Sequence, residues 1–195
     1  LENKSLISKI AHVINVFKNN DLIIVNGYNN YPFILSFILN IFSINKRYIA
    51  TESDIDALTA YGDVVVMEGG VNTAGNLLLA NEQGCVASPS IPQDGLEVLA
   101  EVLGVDIIAT TIGGQDVVGS LGVVNDQGVL LHPDVAPDEV LLIEEILGVP
   151  PMVGTVSFGS PYVGAGICAS NNGALAGSET TGPELNRIED ALGLI

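Results

Sequence analysis

The sequence has no tryptophan and only ten other aromatic residues, seven of them within residues 1–50. Val, Leu, Ile and Ala must therefore fill any core formed by the rest of the chain. Cysteine is almost as scarce. Cys85 and Cys168 stand inside apolar runs, at positions a repeat does not match. Two such residues make neither a disulfide framework nor a metal cluster, and they read as buried thiols of a reduced, cytoplasmic protein. Basic residues nearly vanish after residue 50, where Arg187 faces 21 acidic residues, a net of −20. Residues 1–50 carry five basic and two acidic residues, +3, which brings the chain to −17. A surface so negative repels phosphate, so little direct contact with nucleic acid is expected, whereas a basic protein partner suits it. No apolar run is long enough to span a bilayer. The longest near the start, residues 32–44, is broken by Ser36, Asn40 and Ser43 and lies too far in for a secretion signal. No membrane association is expected.

What the chain does have is glycine, 22 in all, and a repeated phrase. "TAGNLLLANEQGCVASP" (73–89), "VVGSLGVVNDQGVLLHP" (117–133) and "YVGAGICASNNGALAGS" (162–178) each hold a glycine, then Asn or Ser six residues later, then glycine after nine. The triplets are Gly75/Asn81/Gly84, Gly119/Asn125/Gly128 and Gly164/Ser170/Gly173, at steps of 44 and 45 residues. A second ruler agrees: Gly104, Gly148 and Gly193 are also 44 and 45 apart, each closing an amphipathic stretch opened by proline or acids. Proline near the start and glycine past the end mark three helices, with Asp94, Asp138, Glu139 and Glu184 suited to their positive N-termini. A short β-branched run follows each of the first two helices. The five residues after each motif glycine read as a buried strand, "NEQG" and "NDQG" as hairpin turns with Asn and Gly at positive φ, and "VLLHP" as a return strand. One unit is thus a small sheet with one helix, and such units must pack on one another to bury their apolar faces.

Residues 1–50 keep the meter less well. Leu6, Ile7, Ile10, Val13, Ile14 and Phe17 lie on one face of a helix over 5–18. "NNDLIIVNG" (19–27) aligns with "YGDVVVMEG" (61–69), and Phe33 and Phe42 stand where the two motif glycines should be. The expected inventory is five helices, three regular sheet units over 51–195 and one degenerate unit, in a single α+β repeat domain covering 1–195. On this reading the strands of a first unit would be expected before residue 1. An open edge and packing problems at Phe33, Phe37 and Phe42 would favour self-association.

"GSETTGPELNRIEDALGLI" (177–195), with the three repeats, resembles the archaeal translation initiation factor 6 family over roughly residues 49–195. The resemblance implies a pentein-type fold, a five-fold αβ propeller, here incomplete. It also implies binding to the large ribosomal subunit, chiefly through a basic ribosomal protein of the uL14 type, and blocking of premature association with the small subunit. No catalytic residue, metal or cofactor is implied.

Asn76, which follows a motif glycine, matches a ribosome-facing asparagine of the family. Ser120 and Ala165 occupy the same slot in the next two repeats and should lie on the same end of the array. Local backbone capping would equally place an asparagine there. The alternative is a guanidine-modifying enzyme, since the same fold class includes enzymes with a Cys nucleophile, a His and acidic residues. That would make Cys168 the nucleophile. However, Cys168 is mid-strand, His132 reads as a turn residue before Pro133, and "SETTG" (178–182) reads as a cap for the last helix.

Overall fold

The computed structural model describes residues 73–194 throughout, together with four strands from the preceding part of the chain. These are β1 (Leu22–Ile24), β2 (Phe42–Ile44), β3 (Arg47–Ala50) and β4 (Asp63–Val66). The helix expected over 5–18, and Phe33 and Phe37, lie outside the described residues.

Within 73–194 the repeat is visible as structure. The first unit runs α1 (Ala74–Leu77), β5 (Leu78–Ala80), β6 (Gly84–Ala87), α2 (Gln93–Leu103), β7 (Asp106–Ala109). The second runs α3 (Val118–Leu121), β8 (Gly122–Val124), β9 (Val129–Leu131), α4 (Pro137–Leu147), β10 (Pro151–Val153). The third runs α5 (Val163–Gly166), β11 (Ile167–Ser170), β12 (Gly173–Ala176), α6 (Gly182–Ala191). In each of the first two units an antiparallel hairpin is followed by a helix, and the chain then returns as a strand parallel to the second hairpin strand. The hairpin's second strand is therefore central. A helical crossover is what a parallel pair requires.

The long helices begin and end where proline and glycine place them. Pro137 and Pro183 occupy the first turns of α4 and α6. Gly104 and Gly148 cap α2 and α4 with φ of 68° and 64°, and Gly193 follows α6 with φ of 61°. Left-handed backbone is nearly free for glycine and ends a helix cleanly. Two apolar clusters form the core. Leu78, Leu99, Leu121, Leu131, Ile143 and Leu147 belong to one, and Val123, Leu130, Val163, Ile167, Ile188 and Leu192 to the other. Each cluster mixes residues of successive units, as expected of units that cannot bury their faces alone.

Three expectations are corrected. The residues after each motif glycine do not enter a strand at once: α1, α3 and α5 are single helical turns, and the strand starts at Leu78, Gly122 and Ile167. The turn asparagines and glycines do not adopt positive φ. Among the described residues, Ser157 and Phe158 alone do so outside glycine, and Gly84 and Gly128 are not among the glycines that do. What those two glycines supply is room. A Cβ on Gly84 would overlap the Ile146 carbonyl oxygen, and one on Gly128 the Ala191 carbonyl, so each return strand starts against the last turn of the next unit's helix. Finally, β2 pairs antiparallel with β3, and β3 pairs parallel with β4. The return strand of this earlier unit thus opens at Arg47, not Phe42. Leu22–Ile24 joins the far edge antiparallel to β2, so it is not the counterpart of Asp63–Val66.

Candidate interaction surface

The three single-turn helices are built alike. Each closes with the same backbone hydrogen bond, from Asn76 N to Thr73 O, Ser120 N to Val117 O and Ala165 N to Tyr162 O, at 2.9, 2.9 and 3.1 Å. Each is tied to its return strand alike, by Ser88 N to Leu77 O, His132 N to Leu121 O and Gly177 N to Gly166 O. The motif glycine explains how they stack. A Cβ on Gly119 would run into the carbonyls of Gly75 and Leu78, and one on Gly164 into those of Gly119 and Gly122. Successive turns therefore lie backbone against backbone, and a side chain at these positions would force them apart.

That stacking brings the sequence-derived candidates together. The Ser120 hydroxyl donates to the Asn76 side-chain carbonyl oxygen at 3.1 Å, across the junction between two units. Ala165 holds the same place in the third turn and carries no hydroxyl to continue the chain. Asn76 and Ala165 are half-buried and Ser120 is buried. An asparagine amide also carries two N–H donors, which the bond from Ser120 does not engage.

Two further networks hold this end of the array. Glu139, in the first turn of α4, accepts from Thr111 Oγ1 (2.6 Å), Gly113 N (2.7 Å), Ala136 N (2.8 Å) and Gly114 N (3.3 Å). Glu184, in α6, accepts from Thr155 Oγ1, Gly159 N, Thr181 N and Thr181 Oγ1, all at 2.8 Å, and from Phe158 N at 3.2 Å. Burial raises both carboxyls, but the donors outweigh it. They hold Glu139 below the usual range and Glu184 at about 2. Each glutamate thereby clamps the loop that leads into the single-turn helix of its own unit. Thr181 is the N-cap of α6, as "SETTG" suggests.

At the opposite end, Asn81 and Asn125 join neighbouring units. Asn81 Nδ2 donates to Leu147 O (2.8 Å) and Asn125 O (3.3 Å), and Asn125 Nδ2 to Leu192 O (2.8 Å) and Ser170 O (3.2 Å). Their Oδ1 atoms meanwhile accept the turn N–H groups of Gln83 and Gly84, and of Gln127 and Gly128. Sequence spacing marked these asparagines as turn residues; their role between units needed the fold.

The residues of the enzymatic alternative are otherwise employed. The Cys168 thiol is pushed up to about 12 by burial, and Cys85 likewise, which is the reverse of an activated nucleophile. His132 is buried, and its Nδ1 accepts from Asp134 N at 3.0 Å, so it shapes the turn before α4. Its ring meets Tyr162 edge-on, with centroids 6.0 Å apart. Among the described residues no group of His, Cys, Asp or Glu could hold a metal ion, and no helix is long and apolar enough to cross a membrane.

Comparison with known proteins points one way. Translation initiation factor 6 of Natronomonas pharaonis is 53% identical over 132 residues, covering 68% of this chain and 60% of the relative. Those of Halorubrum lacusprofundi and Methanospirillum hungatei are 50% and 38% identical, covering 75% and 74% of the chain and 67% and 66% of theirs. The chain thus spans 60–67% of the length of these curated relatives. The model of the eIF-6 family matches residues 46–191, the stretch that contains all three stacked turns and both glutamate clamps. The chain belongs to the eIF-6 family.

Proposed function

We propose that the chain acts as an anti-association factor, binding the large ribosomal subunit and hindering its premature joining to the small one. The observation that carries this reading is family membership over three repeats whose turns bring Asn76 and Ser120 together on one end of the array. The mode of action is steric: a rigid face made of stacked backbone turns needs no chemistry to occlude a joining surface. The docking face comprises Asn76, Ser120 and Ala165, and the partner is a basic ribosomal protein of the uL14 type. Residues 73–194 hold 16 acidic residues and the single base Arg187, which fits a cationic protein better than bare RNA. The fold is a pentein-type propeller, its units repeating around a central axis in one domain, and the site of action is the cytoplasm.

The test is gradient sedimentation with purified large subunits, followed by addition of small subunits. The chain should travel with the large subunit and reduce the yield of joined particles. Asn76→Arg should weaken the association while circular dichroism still shows a folded chain, the lost bond from Ser120 lowering the melting temperature only modestly. A chain that remains at the top of the gradient at micromolar subunit concentration would overturn the reading.

A further inference from the structure

The loops that enter α3 and α5 are sister structures with one difference. In the first, a bridge between Ile112 and Gln115 encloses Gly113 and Gly114, both left-handed, with φ of 58° and 71°. In the second, a bridge between Val156 and Ser160 encloses three residues, Ser157, Phe158 and Gly159, with φ of 51°, 63° and 96°. This extra residue is what lengthens the repeat from 44 to 45. A bulky L-residue disfavours the left-handed region, and its presence there is a reason to look for a use. The Glu184 clamp fixes the backbone through Phe158 N and Gly159 N. The ring itself is 82% exposed, the most exposed large hydrophobic side chain among the described residues.

Strand register sets where that loop emerges. Val153 pairs with Leu131, and Leu131 with Gly122. The chain leaving β10 toward Phe158 therefore emerges at the end of the sheet where Ser120 precedes β8. Tyr162, 45% exposed, opens the turn that carries Ala165. The exposed Phe158 ring, with the half-exposed Tyr162 ring packed edge-on against His132 nearby, thus lies toward the end that carries Asn76, Ser120 and Ala165, on a part of the chain with 16 acidic residues and one base. An aromatic face in a negative field suits the Lys or Arg side chains of a partner, and it suits phosphate poorly.

We infer that Phe158 is an aromatic anchor of the docking face, held out by its strained, clamped loop to stack on cationic side chains of a basic protein surface. The inference rests on the subunit-binding reading above. Phe158→Gly tests it, because glycine relieves the left-handed backbone while removing the ring. The melting temperature should hold or rise, and sedimentation with large subunits should weaken about tenfold or more, as loss of a central aromatic anchor does. Phe158→Tyr should bind like the parent. A photoreactive benzoylphenylalanine at position 158 should crosslink to a ribosomal protein. Unchanged binding by Phe158→Gly would overturn the anchor and leave the subunit-binding reading standing. A crosslink to ribosomal RNA would overturn the basic-protein partner. A parent chain that does not sediment with subunits would overturn both readings.

Discussion

Asn125 offers a way to weigh the joint between two units against the turn within one. Its side chain is 1% exposed and makes four hydrogen bonds. Two, from Gln127 N and Gly128 N, belong to its own hairpin; two, to Ser170 O and Leu192 O, reach the next unit. Ser170, in the equivalent position, shows what a shorter side chain retains. Its hydroxyl accepts from Asn172 N at 3.2 Å and donates to Gly173 O at 3.3 Å, all within its own turn. Asn125→Ser should therefore keep much of the local turn and lose both inter-unit bonds. A buried hydrogen bond contributes about 0.5–1.5 kcal/mol net, and a buried group left unpaired costs about 1–3 kcal/mol. One of the two carbonyls is partly protected: with its amide nitrogen turned toward the backbone, Gln127 donates to Leu192 O at 3.2 Å. The loss should thus be roughly 1–3 kcal/mol, and Asn125→Ala, which also empties the turn, should lose roughly 1–2 kcal/mol more. Urea unfolding by circular dichroism measures both. If Asn125 couples units, the serine variant should also unfold over a broader range with a lower apparent m-value, as cooperativity between repeats weakens. A serine variant within about 0.5 kcal/mol of the parent and with the same m-value would refute the coupling role.

Other outcomes follow from the same structure. Gly119→Ala places a methyl against the Gly75 and Leu78 carbonyls and should destabilise by about 1–3 kcal/mol or more, read as a fall in the urea midpoint. Glu184 has a carboxyl lowered from 4.5 to about 2 in the folded protein, so its contribution is present above pH 4.5 and disappears as the pH falls through about 2. Glu184→Gln should accordingly be less stable than the parent at neutral pH, with the gap closing across that window in acid unfolding curves. With the half-buried Cys168 thiol raised to about 12, iodoacetamide at pH 7.5 should label it slowly until denaturant is added; rapid labelling of the folded protein would contradict the raised thiol. Sixteen acidic residues against one arginine over residues 73–194 should make the thermal midpoint rise from 0.1 to 1 M KCl, as the screening length falls from about 10 to about 3 Å.

Much of the fold was written in the period. The helices over 93–103, 137–147 and 182–191 follow from proline, amphipathic spacing and terminal glycine, because those signals act within one helical turn. The hairpins were equally readable from Asn81 and Asn125. The single turns α1, α3 and α5 were not. Leu77, Leu121 and Gly164 are buried beside neighbouring units, so a short apolar run there shows no face, and helix and strand look alike. Gly84 and Gly128 invited an explanation from backbone freedom, whereas the deciding factor is the carbonyl of a helix some 60 residues away in the chain. The Glu139 and Glu184 clamps were half visible: their 45-residue separation is in the sequence, but helix polarity alone accounted for both acids before the loops of Thr111 and Thr155 were seen against them. On the candidate surface, spacing sufficed to put Asn76, Ser120 and Ala165 in register. It did not show Phe158, whose interest lies in a φ angle.

The backbone-to-backbone stacking of Gly75, Gly119 and Gly164 has a consequence for how such a protein can diverge. Where neighbouring units meet through side chains, a change of one methyl group shifts their spacing, and the error accumulates along the array. Here the pitch is set by the thickness of a peptide group, which stays constant as long as glycine is kept at the stacked positions. Relatives that have exchanged half or more of their other residues would still present their outer positions at the same intervals. A partner that grips several units at once then meets a fixed gauge, and selection remains free to rewrite the helices and outer loops without retuning the distance between footholds.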